Sequence, residues 1–471
     1  MTAATLTALS VAEAGELIRR RSLSPVELTA AYLERIQRLD GIYGAYMTLL
    51  ASEARSAAAA AEREIAEGRY RGPLHGIPVA LKDLIQTRGV RTTCGTIVLK
   101  DWVPDEDAAV ARRLSDAGAV LLGKLHLHEF AFGPTGVNPH YGTPRNPWDR
   151  GRMPGGSSSG SAVAVGAGLA AAALGTDTGG SVRIPASLCG IVGLKPTYGR
   201  VSRRGVLPLA WSLDHIGPMV RSVEDAALLL GVLAGQDPAD PSTTARPVPD
   251  YRAAMRGEIR GLRLGLPREL FFAHVDPEVE AAVRAAARAL EGMGATVEEV
   301  SLPGMAEATT ATFAIIASEA MAFHGPMLRE HGPRYGQDVR TRLLAGQFVL
   351  ATQYVNAQRI RQVVRAELDA ALARIDALLL PTTPIPAPRI EEREATVDGI
   401  RQDVRAWLTR CTRPFNLTGH PALSLPCGLT AAGLPVGLQL VGRMFDEAML
   451  LRIGSAYEAV SPMRGLRPPE P

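Results

Sequence analysis

The 471-residue sequence has little excess charge of either sign, few aromatic residues and few cysteines. Its formal net charge is +3, and no run of basic residues is present that would attract nucleic acid. The four cysteines lie far apart and form no CxxC pair, which favours free thiols over disulfides or zinc (Cys94, Cys189, Cys411 and Cys427). These absences predict a protein of the reducing cytoplasm that has no nucleic-acid partner.

The sequence also lacks a segment typical of a signal peptide or a membrane span. The N-terminal residues have no basic start and no sustained apolar run. Residues 153–176 carry no charge and are long enough to cross a bilayer, but glycine, alanine and serine dominate them. We therefore expect this stretch to form a buried helix and strand, in a protein that does not enter a membrane.

Lysine is scarce, since only four of the 51 lysine and arginine residues are lysines. An arginine side chain stays protonated, whereas a buried lysine can lose its proton and act as a base. Lys82 follows the apolar run 77–81, where burial would favour the neutral amine. Lys195 is a further candidate for chemistry, whereas Lys100 and Lys124 are equally compatible with a place on the surface.

Short apolar runs bounded by glycine alternate with helical stretches from about residue 74 onward. The runs predict buried strands at 77–81, 119–122, 171–174 and 192–194. Helical stretches lie between and after them, at 107–117, 157–168 and 223–234. This alternation predicts an α/β fold. Before it, a capping box at 24–27 and an alanine-rich stretch indicate a helical N-terminal layer over 1–70.

Glycine and serine dominate residues 154–200, the densest signal in the sequence. Glycines flank three consecutive serines at 157–159, and the TGGS sequence at 178–181 would direct successive backbone amides toward one point. Each fixed donor of such a nest contributes roughly 3 kcal/mol to stabilising an oxyanion in a transition state. The phosphate-binding pattern G-x-x-x-x-G-K-[ST] is absent, which disfavours nucleotide binding.

Two further patterns leave alternatives open. The GSSSG sequence at 156–160 formally matches the nucleophile elbow of α/β-hydrolases, with Ser158 as nucleophile. A polar, proline-containing loop precedes it, however, where the elbow requires a strand. His126 and His128 lie two residues apart, as in a metal-binding strand, but no third ligand is nearby in sequence. We expect no metal ion and no cofactor, and the elbow stays an alternative.

The segment 154–200 resembles the signature of the amidase signature family. Similar stretches lie on both sides of it: LHGIPVALKDLI (74–85), GTPRNPWD (142–149), SLDHIGPMVRSVEDAALLL (212–230) and LPVGLQLVG (434–442). The resemblance therefore covers nearly the whole chain. It implies a single large α/β/α domain over 1–471, with a mixed, mainly parallel central sheet covered by helices. Within it we expect a catalytic core at 74–232 and a cover of the substrate pocket at 303–410.

The resemblance carries the family's Ser–cis-Ser–Lys triad onto Ser181, Ser157 and Lys82. It implies that Lys82 draws the proton of Ser157, which in turn draws that of Ser181, the nucleophile that forms an acyl-enzyme. The family's oxyanion-hole amides fall on Thr178, Gly179, Gly180 and Ser181. The loop that lines the acyl pocket falls on Ala131, Phe132 and Gly133.

The activity implied is hydrolysis of carboxylic amides, and also of esters, anilides or carbamates, by a monomer or homodimer acting on a small molecule. The segment through KPTYGRVSR is also close to the family's glutamine-hydrolysing subunit of tRNA-dependent amidotransferases. That subunit usually carries an acidic residue where this sequence has Thr409, and its tyrosine-rich stretch is represented only at 351–361. These departures favour a stand-alone amidase that acts on less polar substrates. An esterase using Ser158 and the amidotransferase subunit are the alternatives.

Overall fold

Helices and strands alternate along residues 2–471, the part of the chain that the computed structural model describes. The helices are α1 (Ala3–Ala8), α2 (Val11–Arg19), α3 (Pro25–Tyr43), α4 (Ala51–Ala66), α5 (Ala109–Asp116), α6 (Ser159–Gly166), α7 (Arg183–Cys189), α8 (Val223–Leu233), α9 (Tyr251–Ala254), α10 (Pro277–Gly292), α11 (Met305–His331), α12 (Gln337–Ala345), α13 (Ala351–Leu372), α14 (Val404–Thr409), α15 (Arg413–Thr418) and α16 (Glu447–Val460). The strands are β1 (Tyr46–Leu49), β2 (Pro78–Lys82), β3 (Val120–Leu125), β4 (Ala172–Asp177), β5 (Val192–Lys195), β6 (His215–Val220), β7 (Arg263–Pro267), β8 (Thr296–Val300), β9 (Ala377–Pro381), β10 (Glu394–Val397), β11 (Ile400–Asp403), β12 (Ala422–Leu429) and β13 (Pro435–Val441).

Eleven of these strands form one sheet in the order β1-β3-β2-β4-β6-β5-β12-β13-β9-β7-β8, and β10 and β11 form a separate hairpin. The predicted mixed sheet flanked by helices is confirmed. Parallel pairing joins β3, β2 and β4 in one block and β9, β7 and β8 in another. The remaining six pairings in this sheet are antiparallel, a larger share than the sequence predicts.

The central strands are buried along their whole length, which explains their continuous apolar sequences. One hydrophobic core includes residues from Leu6 in the N-terminal layer to Tyr457 in the last long helix. A smaller cluster surrounds Trp407 next to the hairpin of β10 and β11. The main core thus joins the N-terminal layer to the last long helix, and the single domain over 1–471 stays a prediction.

The predicted helices and strands between residues 74 and 234 are present, with ends shifted by no more than three residues. Half of the predicted capping box is found: the hydroxyl of Ser24 accepts hydrogen bonds from the amides of Val26 and Glu27, and Pro25 opens α3, but in the described chain the Glu27 side chain does not accept from the Ser24 amide. The predicted helical layer 1–70 contains one strand, β1, which pairs with β3 at the sheet edge. This strand is only four residues long and half-buried, so its apolar pattern is weak.

The uncharged stretch 153–176 is folded into the interior as predicted. It supplies α6 and most of β4, all of whose residues are buried. Within residues 2–471, no helix combines the length and the hydropathy that crossing a membrane requires. The small side chains of α6 let its backbone approach its neighbours closely, since a Cβ at Gly160 would lie 2.4 Å from the carbonyl oxygen of Ala45.

Candidate active site

Lys82 is the last residue of β2 and is fully buried. Its Nζ lies 2.7 Å from Oγ of Ser157 and 2.8 Å from Oγ1 of Thr176. Burial lowers the pKa of Lys82 from 10.5 to about 7, although the charges of Asp177 and Asp214 oppose the change. Ammonium and free amine are therefore both populated near neutral pH, which a lysine needs if it is to act as a base.

Ser157 lies in the loop before α6, against the end of β2. The Gly156–Ser157 peptide bond is cis, and the serine side chain is fully buried. The carbonyl oxygen of Ser157 accepts a hydrogen bond from the amide of His128 at 3.1 Å. A Cβ at residue 156 would lie 2.6 Å from the nitrogen of Gly136, so only glycine fits before Ser157. These contacts with His128 and Gly136 fix the loop and hold the hydroxyl of Ser157 against Lys82.

Ser181 lies in the short loop between β4 and α7. Its carbonyl oxygen accepts a hydrogen bond from the amide of Ser158 at 3.3 Å, which joins this loop to the one that carries Ser157. Ser181 is 8% exposed, whereas Ser157 and Lys82 are fully buried. Within residues 2–471, no hydrogen bond links the hydroxyls of Ser157 and Ser181. The structure therefore brings the three predicted residues to one place, with a direct contact between Lys82 and Ser157.

Asp177, at the end of β4, anchors the loop that carries Ser181. Its carboxylate accepts hydrogen bonds from the amides of Gly180 at 2.8 Å and Val182 at 3.1 Å, and it pairs with Arg183 at 2.9 Å. Burial alone would raise the pKa of Asp177. The charge of Arg183 and the hydrogen bonds from it have a larger, opposite effect, and they hold the pKa of Asp177 well below its usual range. The carboxylate is therefore a permanent anion that fixes the loop.

The contact with Asp177 corrects one part of the predicted oxyanion hole. The amide of Gly180 already donates to Asp177 and has no hydrogen left for an oxyanion. The amides of Thr178, Gly179 and Ser181 donate to no group within the described part of the chain, so they stay candidates. The hydroxyl of Thr178 donates to Asp214 at 2.5 Å. Within the TGGS sequence, the Gly180 amide therefore holds the loop, and the other amides stay free for an oxyanion. Composition alone does not reveal this difference.

Groups from a distant part of the sequence complete the loop's support. The Arg183 guanidinium donates to the carbonyl oxygen of Thr412 at 3.1 Å, to Oε1 of Gln439 at 2.7 Å and to Oδ1 of Asn416 at 2.6 Å. The hydroxyl of Thr412 donates in turn to the carbonyl oxygen of Gly179 at 2.7 Å. Sequence reasoning did not single out Thr412, Asn416 or Gln439. Gln439 lies in LPVGLQLVG (434–442), a stretch that stood out only by its similarity to the family, and Thr412 and Asn416 lie in TRPFNL (412–417).

A cavity of about 260 Å³ opens beside Thr176 and Thr178. Asp214 also lines it, and burial raises the pKa of that carboxyl to about 6 despite the hydrogen bond from Thr178. Lys82, Ser157 and Ser181 do not line this cavity, but Thr176 lies between it and Lys82, from which it accepts a hydrogen bond. Thr176 and Asp214 are further site residues that sequence reasoning missed.

The predicted acyl-pocket loop lies on the turn that follows β3. Ala131 lines the cavity and has a φ of 58°, in the left-handed region. Phe132 lies under the guanidinium of Arg342, with 4.5 Å from the guanidinium carbon to the ring centre. A Cβ at Gly133 would lie 2.3 Å from the His128 ring, so the turn requires glycine there. Ala131 is the member of the loop that borders the cavity.

The alternative nucleophile, Ser158, has no histidine partner within residues 2–471. Its hydroxyl donates to the carbonyl oxygen of Thr176 and accepts from the amide of the same residue, both at 3.2 Å. His126 lies 3.3 Å from Oγ of Ser159, and His128 lies 3.4 Å from a carboxylate oxygen of Asp338. No group of three or more potential ligands that could hold a metal ion occurs in the described chain.

The other lysines occupy contrasting places. Lys124 is fully buried, 3.4 Å from Asp83 and 2.7 Å from the carbonyl oxygen of Ile85. The surface position that was left open for Lys124 is therefore not the one it takes, because the residue lies in β3 between the buried strand β2 and the half-buried edge strand β1. Lys195 is also fully buried and lies 3.2 Å from Nε2 of His215. Lys100 is exposed.

The match to a protein-family model decides the family. The model described as Amidase matches residues 27–451. The chain belongs to the amidase family. The A subunit of glutamyl-tRNA(Gln) amidotransferase from Roseiflexus sp. (strain RS-1) is 46% identical over 477 residues, which cover 96% of either chain. The family to which the signature segment points is thereby confirmed.

Solved structures of the amidase family share the whole fold. One is a chain from a vestigial protein complex linked to the evolutionary origins of an s-triazine catabolic enzyme. It is 37% identical with a TM-score of 0.93, covering 96% of this chain and 98% of that one. The peptide amidase of Stenotrophomonas maltophilia is 35% identical with a TM-score of 0.86, covering 98% of both chains. The predicted fold is confirmed by these similarities.

Proposed function

We propose that this chain is an amidase that hydrolyses carboxylic amides through an acyl-enzyme on Ser181, with Ser157 and Lys82 as the proton relay. The observation that carries the proposal is the buried contact of 2.7 Å between Lys82 and Ser157, beside the loop of Ser181. A serine hydroxyl is a weak nucleophile and needs a base. The lowered pKa of Lys82, about 7, supplies one at neutral pH.

The first half of the reaction forms the acyl-enzyme. Neutral Lys82 accepts the proton of Ser157 through its lone pair and keeps an N–H bond for Thr176. Ser157 takes the proton of Ser181 as the bond from Ser181 Oγ to the substrate carbonyl carbon forms. The amides of Gly179 and Ser181 would stabilise the oxyanion that develops. The relay then returns the proton to the nitrogen of the leaving amine as the C–N bond breaks.

The second half releases the acid. Water gives its proton to the relay as its oxygen attacks the acyl carbon, and the Ser181 ester bond breaks when the proton passes back to Ser181 Oγ. Esters, anilides and carbamates pass through similar tetrahedral intermediates, so the same residues would cleave them. The active form would be a monomer or homodimer in the cytoplasm, and no cofactor takes part.

We further propose that the chain works without partner subunits, although its sequence is close to the A subunits of glutamyl-tRNA(Gln) amidotransferases. Where those subunits usually carry an acidic residue, the hydroxyl of Thr409 donates to the carbonyl oxygen of Arg405 at 2.8 Å. An uncharged side chain used in this way offers no counter-charge to the amino group of glutamine. The second candidate, a glutamine-hydrolysing subunit, is supported by the 46% identity.

Assays of the purified chain separate these functions. As an independent amidase it should turn over simple aliphatic amides and p-nitroanilides without any added protein. As a subunit it should hydrolyse glutamine, and only in the presence of partner subunits. Size-exclusion chromatography with light scattering on the same sample checks for a monomer or homodimer.

Alanine variants of the relay test the assigned roles. Ser181→Ala, Ser157→Ala and Lys82→Ala should each lower kcat by at least about 10³-fold. Ser159→Gly is the matched control, because it changes the serine two residues after Ser157, at the start of α6, to the residue that many family members carry there. A wild-type rate in any of the three variants contradicts the role of that residue. A fluorophosphonate should label Ser181, and labelling of Ser158 would instead support the elbow alternative.

A further inference from the structure

Lys195, the last residue of β5, is a fully buried lysine that the proposed reaction does not use. Its Nζ donates to the carbonyl oxygen of Pro196 at 3.1 Å and lies 3.2 Å from Nε2 of His215. Burial lowers the pKa of Lys195 well below its usual range, with the charge of Arg183 as the second cause. Ammonium and free amine both carry N–H bonds, so Lys195 is a hydrogen-bond donor in either form.

The His215 ring has one tautomer that fits its surroundings. Its Nδ1 lies 2.6 Å from the carbonyl oxygen of Leu213 and 3.2 Å from that of Asp177. Because a carbonyl oxygen only accepts hydrogen bonds, Nδ1 carries the hydrogen and Nε2 has the lone pair that accepts from Lys195. Burial and the charge of Lys195 hold the pKa of His215 well below its usual range, which keeps the ring neutral.

The two carbonyl groups that His215 holds belong to the supports of the nucleophile loop. Asp177 lies opposite His215 in the sheet and is the residue whose carboxylate anchors that loop. Leu213 directly precedes Asp214, whose carboxylate accepts the hydrogen bond of 2.5 Å from the Thr178 hydroxyl. Thr178 begins the TGGS sequence, and its amide is one of the candidate oxyanion donors. The Nδ1–H group therefore joins two segments that fix this sequence.

We propose that Lys195 is a positioning residue for the reaction. By donating to Nε2 it fixes the Nδ1–H tautomer of His215, and His215 in turn holds the loop that supplies the oxyanion amides. The inference rests on the proposed function, in that this loop is taken as the reaction site. Without the donor, the neutral ring can move its hydrogen to Nε2. The Nδ1 lone pair then faces two carbonyl oxygens and holds neither of them.

The first test is Lys195→Met, which keeps a side chain of similar length and removes the donor. A displacement of the loop lowers kcat for a simple aliphatic amide by roughly 10- to 100-fold. KM should change less than about threefold, because the oxyanion exists only after the substrate has bound. Lys100→Met is the control, since Lys100 is exposed, and it should leave both constants unchanged. An unchanged kcat in Lys195→Met would overturn the proposal.

A double-mutant cycle separates positioning through His215 from a merely structural role of Lys195. His215→Asn keeps an N–H group near the position of Nδ1 but has no acceptor at the position of Nε2. In the His215→Asn background, adding Lys195→Met should therefore lower kcat less than about threefold further. If Lys195 only supports the packing of β5, both backgrounds lose the same factor. Equal losses in the two backgrounds thus contradict the proposed link.

Nuclear magnetic resonance of the protein with 15N-labelled histidine reads the tautomer without any assay of activity. The signals of His215 are those that disappear in His215→Asn. In the wild-type protein they should report a neutral ring with the hydrogen on Nδ1 throughout about pH 5.5 to 8.5. In Lys195→Met the Nε2–H tautomer should gain population. A wild-type ring that titrates in this range, or that carries its hydrogen on Nε2, overturns the proposal even where Lys195→Met does not fold.

These measurements also distinguish a failure of this proposal from a failure of the proposed function. If the wild-type protein hydrolyses no amide but Lys195→Met shifts the tautomer of His215, the proposed function fails and the link between the two residues stands. If amides are hydrolysed and Lys195→Met changes neither the tautomer nor kcat, the proposed function stands and Lys195 has no positioning role.

Discussion

Replacing Lys82 by methionine should stabilise the folded protein while it abolishes activity. Holding an ammonium group whose pKa falls from 10.5 to about 7 costs the folded state about 5 kcal/mol at neutral pH. Methionine has a similar length, carries no charge and suits a buried site. It leaves the hydroxyls of Ser157 and Thr176 without one partner each, at roughly 1 kcal/mol apiece. A net gain of about 2 to 3 kcal/mol is expected.

The gain should depend on pH in a defined direction. The unfolded chain keeps the Lys82 proton up to about pH 10.5, whereas the folded chain releases it from about pH 7. Between these values the unfolded state binds more protons, so the stability of the wild-type protein rises with pH. The advantage of Lys82→Met is therefore full below about pH 7 and shrinks as the pH approaches 10.5.

Thermal denaturation of both proteins at a fixed scan rate, at several pH values, measures this difference. Lys124→Met is the matched control, since Lys124 is equally buried but has Asp83 3.4 Å away. Removing Lys124 leaves that carboxylate unpaired, so this variant should lose about 3 to 5 kcal/mol. A Lys82→Met protein that melts as low as Lys124→Met, or whose advantage does not shrink with pH, would refute the reasoning.

Two further predictions follow from the same site. The kcat/KM for a neutral amide should rise with pH, reach half its maximum near pH 7 and then level off, because Lys82 acts in its deprotonated form. A profile that is flat from about pH 5.5 to 8.5 contradicts that role of Lys82. Gly180→Ala should lower both activity and melting temperature, because its φ is 125° and the new Cβ would lie 2.2 Å from Oγ1 of Thr412. Gly231→Ala in α8 is the control, because a Cβ there meets nothing within 4 Å, and it should raise the free energy of unfolding by up to about 1 kcal/mol. Equal melting temperatures for the two variants would contradict the expected strain at Gly180.

The parts of the fold that sequence predicts best are those whose signals are local. The buried strands around Lys82 and Asp177 are continuous apolar runs, and Ser24 with Pro25 marks the start of α3 through its own hydrogen bonds. The edge strand β1 was missed because four half-buried residues carry almost no periodic signal. Local patterns also gave no measure of how many pairings in the sheet would be antiparallel.

Contacts between distant segments limited the prediction of the candidate site. The glycine and serine pattern pointed to Ser157 and the loop of Ser181, the scarcity of lysine pointed to Lys82 after an apolar run, and the family resemblance joined the three. The use of the Gly180 amide by Asp177 depends on how the turn folds, which the TGGS sequence alone does not specify. The support that Thr412 and Asn416 give to the loop of Ser181 joins segments more than 200 residues apart, and only the folded structure reveals it.

The placement of the lysines has a practical consequence for handling the protein. Lys82, Lys124 and Lys195 are enclosed, which leaves Lys100 as the lysine that an amine-directed dye, cross-linker or solid support can reach. Conjugation through lysine would then occur at one defined position, and a reagent buffered to spare the α-amino group would give a single attachment site. Because Lys82 is shielded by its own surroundings, such a conjugate would keep its base chemically intact.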